Sequence, residues 1–318
     1  MFEQIIKLIE KHDSIVIFGH LNPDGDCFGS SVALKNAIML KYPHKKVYIT
    51  GSGLPRYFHL LGSVDEVSDE TIANSLAIIV DSSDLQRLED QRAYNAKEFL
   101  KIDHHVDKGL FKEGPSVVVE GATSTCDIIV DMIRDYNFPM NETIANALYL
   151  GIMTDSGHFQ HMLDYYDTFE KVTYLCKCGA NPKIVNSIIV KTTEKNIRGR
   201  GFIYSNYKKG RGILYLVLTK EEIKETGLTA DELSLMINLL TNIEGYPAVA
   251  SFMEYENGRV RVEMRSSGPK VQPICLRIGG GGHMTAAGAQ LPTFDLNQIN
   301  GLLKELEDEV SRYLKEGE

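Results

Sequence analysis

The sequence predicts an α/β protein in two parts: an N-terminal parallel sheet with helices on both faces, and a smaller α/β domain behind it. Three observations lead there. Up to about residue 155, unbroken apolar runs of strand length alternate with stretches at helical spacing, the pattern of a parallel sheet buried between helices. Further on, two alternating runs flank Glu256-Asn257-Gly258, a hairpin turn. And 318 residues are long for a single hydrophobic core.

In chain order, strands are expected at residues 14–18, 46–50, 76–80, 99–102 and 116–119, each a short apolar, β-branched run. Helices are expected at 2–11, 28–41, 125–136 and 142–153, where apolar residues recur every three to four positions. Residues 156–190 continue as helices, with Asn181-Pro182 marking a helix start. The stretch from Thr192 to Lys209 is polar, basic and irregular, so residues 191–209 are read as a linker between a 1–190 domain and a 210–318 domain. Beyond it, strands are expected at 212–218, 248–255 and 259–265, with helices at 230–241 and 295–315 covering that smaller sheet.

Composition narrows the class. Hydrophobic residues are 43% and charged residues 24%, the balance of a globular protein with no disorder signature. Lys plus Arg is 34 against Asp plus Glu 43, a net charge of -9, so no global basic field exists to hold long nucleic acid. A nucleic-acid substrate is therefore expected to be short, with no long duplex among the partners. The five cysteines are scattered, and the N-terminus MFEQIIKLIEKHD lacks the cationic flank and apolar stretch of a leader. No run has the length of a membrane span. A cytoplasmic protein without a membrane partner is the simplest expectation.

In an open parallel sheet, groups placed just after the strand C-termini converge although they are distant in sequence. His20, Asp24 and Asp26 follow the first strand; Asp81 follows the third; Asp103, His104 and His105 follow the fourth. Asp155 instead follows a helix. Each piece alone has a plain reading: Asn22-Pro23-Asp24-Gly25-Asp26 as a turn and helix cap, Asp81 as a turn residue, Asp155-Ser156-Gly157 as a helix exit. Taken together, so many carboxylates in one crevice would repel one another and raise their pKa values unless a cation were present. Mixed imidazole and carboxylate donors suit a borderline transition metal such as manganese. Two such ions about 3.5 to 4 Å apart can hold a bridging hydroxide and clamp a phosphoryl group, which is phosphate-ester hydrolysis.

Far along the chain, Gly279-Gly280-Gly281-Gly282-His283 is either a flexible turn or an anion cradle, with Ala286-Ala287-Gly288 allowing tight packing behind it. Arg265-Ser266-Ser267, at the end of a strand candidate, offers a guanidinium suited to phosphate.

These segments carry a resemblance to the DHH phosphoesterase superfamily, specifically its DHH plus DHHA1 members of the nanoRNase and 3′-phosphoadenosine 5′-phosphate phosphatase type. It covers almost the whole chain. The residues that carry it are His20, Asp24 and Asp26 with Gly29-Ser30, Ile78-Ile79-Val80-Asp81, Ile102-Asp103-His104-His105, Gly151 to Gly157 around Asp155, and the Gly279 to Gly288 stretch. The resemblance implies a DHH domain and a DHHA1 domain with the active site in the cleft between them. It implies one metal on His20, Asp24 and Asp81, and a second on Asp26, Asp81, His104 and Asp155, with Asp81 bridging. His105 would contact the substrate phosphate or transition state, with Asp103 orienting the histidines. Arg265, Ser266, Gly280, Gly281, Gly282 and His283 would grip the far phosphate.

The activity so implied is hydrolysis of short oligoribonucleotides, of 3′-phosphoadenosine 5′-phosphate, or both. A linear pApA phosphodiesterase, a manganese pyrophosphatase, a RecJ-like exonuclease and a non-catalytic nucleotide-sensing module are the rival readings. The Gly279 to Gly288 motif argues against the pyrophosphatase, and the acidic balance and short chain against the exonuclease. A homodimer is left open.

Lesser signals complete the reading. Cys176 and Cys178 are read as two separate thiols, because positions i and i+2 do not align on a helix. His158 and Phe159 are either packing residues or a stacking surface for a base, and Lys191, Lys195, Arg198 and Arg200 are either solvated or line the substrate entrance.

Overall fold

A computed structural model describes residues 1–51, 61–106, 111–112, 114–162 and 164–316. The chain divides into two compact units, Met1–Lys191 and Thr192–Glu318.

The first unit holds strands β1 (Ser14–Phe18), β2 (Lys46–Ile49), β3 (Leu76–Val80), β4 (Glu98–Asp103) and β5 (Ser116–Val118), in the order β2-β1-β3-β4-β5 and all parallel. Its helices are α1 (Glu3–Lys11), α2 (Gly25–Lys41), α3 (Asp69–Ala73), α4 (Thr125–Asp135), α5 (Glu142–Asp155), α6 (Tyr165–Lys177) and α7 (Pro182–Ile189). Strand side chains alternate between two apolar layers. Ile15, Ile17, Ile78 and Val80 pack with α1, α2, α4 and α5 on one face. Val16, Phe18, Ala77 and Ile79 pack on the other with Ile72 of α3 and with Leu85, Leu88 and Ala93, which lie in or beside two 3-10 turns. Burial on both faces is what makes β3 an unbroken apolar run.

Two helices meet closely behind the sheet. Gly29 of α2 sits where a β-carbon would strike the Ala147 carbonyl of α5, and a β-carbon on Gly151 of α5 would lie 2.6 Å from an Asp26 carboxylate oxygen. Nearly the whole first half of α2 is buried, which explains why it lacks an amphipathic pattern.

The second unit holds α8 (Glu194–Asn206), β6 (Lys208–Lys209), β7 (Ile213–Leu218), α9 (Lys220–Thr226), α10 (Ala230–Leu235), β8 (Ala248–Glu254), β9 (Val260–Ser266), α11 (Gln272–Arg277), β10 (Gly281–His283), β11 (Ala286–Leu291) and α12 (Leu296–Glu316). The sheet order is β10-β11-β9-β8-β7-β6, antiparallel except for the β7 and β8 pair. The expected hairpin joins β8 to β9, with Gly258 at φ 80 and Asn257 Oδ1 accepting from the Arg259 amide at 3.1 Å. One face packs on α11 and α12, the other on α8, α9 and α10.

Three expectations need correction here. The stretch read as an irregular linker contains α8, capped by Thr193, whose Oγ1 accepts from the Asn196 amide. Only Gly199 and Ile203 of α8 are buried, so it carries almost no apolar periodicity. The helix expected at 230–241 is α10 followed by a 3-10 turn at Met236–Leu240. And the glycine run is no open loop: Gly281 to His283 pair with Gly288 to Ala286 as strand β10.

Candidate metal centre

The strand order reverses direction between β1 and β3, and in open α/β sheets that switch point, at the strand C-termini, is where ligands bind. His20, Asp24 and Asp26 follow β1, and Asp81 follows β3. Next along the sheet, β4 delivers Asp103 as its last residue, with His104 and His105 beyond it. Asp155 is the last residue of α5, rather than a residue beyond the helix.

Asp24 is both a helix cap and a member of the cluster. Its Oδ1 accepts from the amides of Asp26 and Cys27, each at 3.0 Å, and lies 3.8 Å from His20 Nε2. Its side chain is 56% exposed, and the partial desolvation it does suffer works against ionising it, but His20 and those amides outweigh this and hold its carboxyl below the ordinary carboxylate range. His20 has Nδ1 2.9 Å from the Leu21 carbonyl, which leaves Nε2 facing Asp81 Oδ2 at 3.5 Å. Burial opposes its imidazolium form, yet Asp24 and Asp81 raise its pKa well above the usual histidine value.

Asp81 is the hub. It is 3% exposed and takes φ 55, a left-handed conformation uncommon outside glycine, though aspartate tolerates it better than most, and one that recurs at functional sites. Its Oδ1 lies 3.6 Å from both His104 Nε2 and His105 Nδ1 and accepts from Thr125 Oγ1 at 3.2 Å. Asp26, fully buried, accepts from the Thr125 amide at 2.7 Å and the Cys126 amide at 2.9 Å, so the start of α4 holds its carboxylate. Burial first, and Asp81 second, still push its pKa far above the usual value.

His104 Nε2 sits 3.2 Å from Asp155 Oδ2, while its Nδ1 faces the Ala122 carbonyl at 3.4 Å. Burial and the Asp26 charge push Asp155 up to about 7, against the pull of His104. His105 is set differently. Asp103, fully buried, accepts from the His105 amide at 3.2 Å and from its Nδ1 at 2.9 Å, which fixes the ring and raises its pKa. Burial works against ionising Asp103, but His105 pulls its pKa down.

Among the described residues, three groups have ligand atoms close enough to share an ion: His20, Cys27 and Asp81; Asp81, His104 and His105; and Asp26, His104 and Asp155, each with its atoms within 4.8 Å of one another. Asp81 belongs to two of them. Both His20 and His104 keep Nδ1 at a backbone carbonyl and aim Nε2 at carboxylates, as metal-binding histidines do. Buried acids whose pKa values are driven up by one another form a donor set that a divalent cation would relieve. The chemistry of the cluster therefore fits metal ions.

Two participants escaped the sequence reading. Cys27 stands just before the helix expected from residue 28, and Thr125 looks like an ordinary first-turn residue; the sequence does not say which residues either one faces. Phe159 packs against Tyr149 and Phe169 with ring centroids 6.1 and 5.5 Å apart, and His158 is exposed. Lys195 pairs with Glu232 and Arg198 with Glu194. Cys176 and Cys178 are free thiols.

In the second unit, Arg265 lies on β9 and donates through Nη1 to Glu263 Oε2 and the Met264 carbonyl, each at 2.9 Å. Ser266 donates to the Pro269 carbonyl at 2.5 Å. Gly280, three residues beyond the end of α11, donates its amide to the Cys275 carbonyl at 2.9 Å, and exposed His283 closes β10 opposite Ala286. Gly282 takes φ 131, a conformation open to glycine. Part of the Arg265 fork is thus already engaged with Glu263.

Comparison with known proteins adds the following. A family model described as the DHH family, N-terminal domain, matches residues 14–152, and one described as the DHHA1 domain matches residues 210–312. The chain is 31% identical over 290 residues to a bifunctional oligoribonuclease and PAP phosphatase NrnA of Mycoplasma genitalium, covering 90% of this chain and 91% of that protein. It is 28% identical over 312 residues to the protein of the same name from Bacillus subtilis, covering 96% and 98%. Among solved structures, an exopolyphosphatase-related protein from Bacteroides fragilis superposes with a TM-score of 0.85 at 20% identity, covering 98% of this chain and 96% of that one.

Proposed function

Because the chain belongs to the DHH family and carries a DHHA1 domain later in its sequence, we propose that it is a metal-dependent phosphoesterase acting on short oligoribonucleotides and on 3′-phosphoadenosine 5′-phosphate. One observation carries the reading: Asp81, buried at the switch point, stands within 3.6 Å of three imidazoles whose other neighbours are Asp24, Asp103 and Asp155. The names of the relatives from Mycoplasma genitalium and Bacillus subtilis support the substrate class.

His20, Asp24 and Asp81 would hold one divalent ion, and Asp26, Asp81, His104 and Asp155 a second, with manganese favoured by the mixed donors. Bound there, such ions would polarise phosphoryl oxygens and make water a nucleophile near neutral pH. The protein's own groups do the rest. Asp103 holds Nδ1 of His105, which frees Nε2 to donate to a phosphoryl oxygen as negative charge grows there. Thr125 steadies both central carboxylates, Asp81 through its hydroxyl and Asp26 through its amide. Arg265, Ser266 and the Gly280 to His283 hairpin are assigned to the far phosphate of the substrate, with the exposed His283 as a donor. A reducing, cytoplasmic setting accords with five free cysteines, and no described helix is long and apolar enough to cross a membrane.

The test is a parallel assay of the purified chain with manganese on 3′-phosphoadenosine 5′-phosphate, pApA, a five-nucleotide RNA, pyrophosphate and long single-stranded DNA. Turnover is expected on the first three. Preference for pyrophosphate or for the long strand would overturn the reading, and no turnover on any would point to a sensing module.

A further inference from the structure

Asp127 stands outside the ligand sets above, yet a single peptide plane separates it from His104. Between β5 and α4 the chain runs through residues 119–124 outside any strand or helix, so side chains do much to set its course. The peptide unit joining Ala122 to Thr123 is held at both ends: its carbonyl faces His104 Nδ1 at 3.4 Å, and its N–H donates to Asp127 Oδ2 at 3.1 Å. A trans peptide is planar, so fixing the amide also fixes where the carbonyl points. Asp127 Oδ1 accepts from Lys171 Nζ of α6, which also reaches Asp131 at 2.7 Å and Asp167 at 2.8 Å. Thr168, one turn earlier on α6, meets Thr123 hydroxyl to hydroxyl at 2.7 Å. Asp127, Lys171, Thr123 and Thr168 are all buried. A helix cap needs neither burial nor a lysine, whereas a buried carboxylate is costly unless it is paired and hydrogen-bonded.

We propose that Asp127 is a positioning residue for the second metal position: it locks the Ala122–Thr123 peptide plane whose carbonyl holds the His104 ring, while Lys171 and Thr168 of α6 hold Asp127 and Thr123 from behind. A ligating histidine is oriented by the partner of its other ring nitrogen, and here that partner is the Ala122 carbonyl. With Nδ1 so held, Nε2 stays directed at Asp155. The same turn leads straight into Thr125 and Cys126, whose amides hold Asp26. Two donors assigned to one ion, His104 and Asp26, therefore share a single mounting, and Asp127 acts on them through the backbone. The inference rests on the reading of this cluster as a metal centre and extends it to side chains that lie outside the cluster.

The test is calorimetric titration of the metal-free full chain with manganese, with Tm recorded for each variant. Asp127→Ala removes the acceptor of the Thr123 amide and leaves Lys171 with Asp131 and Asp167; manganese affinity is expected to fall about tenfold, the low end of the cost of disturbing an outer partner of a ligand. Asp127→Asn keeps an oxygen for that amide and is expected to recover most of the affinity. Lys45→Met serves as the control for lost stability, because Lys45 is buried in the same unit but bonds the Glu10 and His12 carbonyls just before β2, at the other end of the sheet from the centre. Its Tm should fall while its manganese affinity stays that of wild type. The proposal is overturned if Asp127→Ala binds manganese within about twofold of wild type, if Asp127→Asn is as poor as alanine, or if Lys45→Met loses as much affinity. Wild type that binds no manganese brings down the metal centre and this inference with it. Should Asp127→Ala fail to fold, Thr168→Val and Thr168→Ser decide: valine, which takes the hydroxyl from Thr123, is expected to weaken manganese binding and serine to preserve it, and equal affinities refute the proposal.

Discussion

Thr125→Val isolates one hydrogen bond at the centre. Valine keeps the branched shape of a fully buried residue, and the Thr125 amide still reaches Asp26 at 2.7 Å; only the Oγ1 donor to Asp81 Oδ1, at 3.2 Å, is lost. A hydrogen bond to a charged group is worth about 1.5–3 kcal/mol. At about 1.4 kcal/mol per decade, that is roughly a 10- to 100-fold weakening of metal binding, which agrees with the usual cost of removing an outer partner of a ligand. The assay is calorimetric titration of the metal-free protein with manganese, beside kcat at saturating metal. Metal affinity should fall by that factor, with kcat largely restored at saturation, and Thr125→Ser should behave as wild type. If valine and wild type bind manganese within about twofold of each other, or serine is as poor as valine, the hydroxyl is not supporting Asp81.

Three further outcomes are expected. His283→Ala should raise KM for 3′-phosphoadenosine 5′-phosphate by about tenfold, the worth of one hydrogen bond to a charged phosphate, and leave kcat in place; steady-state kinetics separate the two, and an equal fall in kcat refutes the assignment. Asp103→Asn removes the charge that raises the His105 pKa, so the alkaline limb of the kcat profile should move to lower pH, which a pH-rate series on both proteins reads out. Asp155, pushed up to about 7 by burial and Asp26, is protonated more readily in the folded than in the unfolded chain. Its contribution to stability is therefore present below about pH 4 and lost as pH rises towards 7 in the metal-free protein. Manganese should flatten that slope in denaturant titrations at successive pH values.

How much of this was legible beforehand depended on where each signal resides. β1 and β3 are each buried along almost their whole length, so their boundaries stand out as unbroken apolar runs. Helix α8 shows the opposite case: two buried residues in a polar stretch leave only the Thr193 cap to announce it. Strand β10 is hidden because glycine reads as a turn, and its pairing with β11 is a tertiary event. At the centre, acids and histidines after strand ends can be found because topology makes those positions converge. Cys27 and Thr125 cannot, since their meaning comes from the residues they face: Gly19 gives room to one, and the start of α4 aims the other at two carboxylates.

The glycines between α2 and α5 bear on how the centre tolerates change. With the Ala147 carbonyl against Gly29, the Thr154 side chain against Gly25 and the Asp26 carboxylate and Cys126 sulfur against Gly151, the elements carrying Asp24, Asp26 and Asp155 leave little free space between them. Separation of these carboxylates is consequently a property of two closely packed helices, so loops around the crevice can diverge while their spacing stays the same.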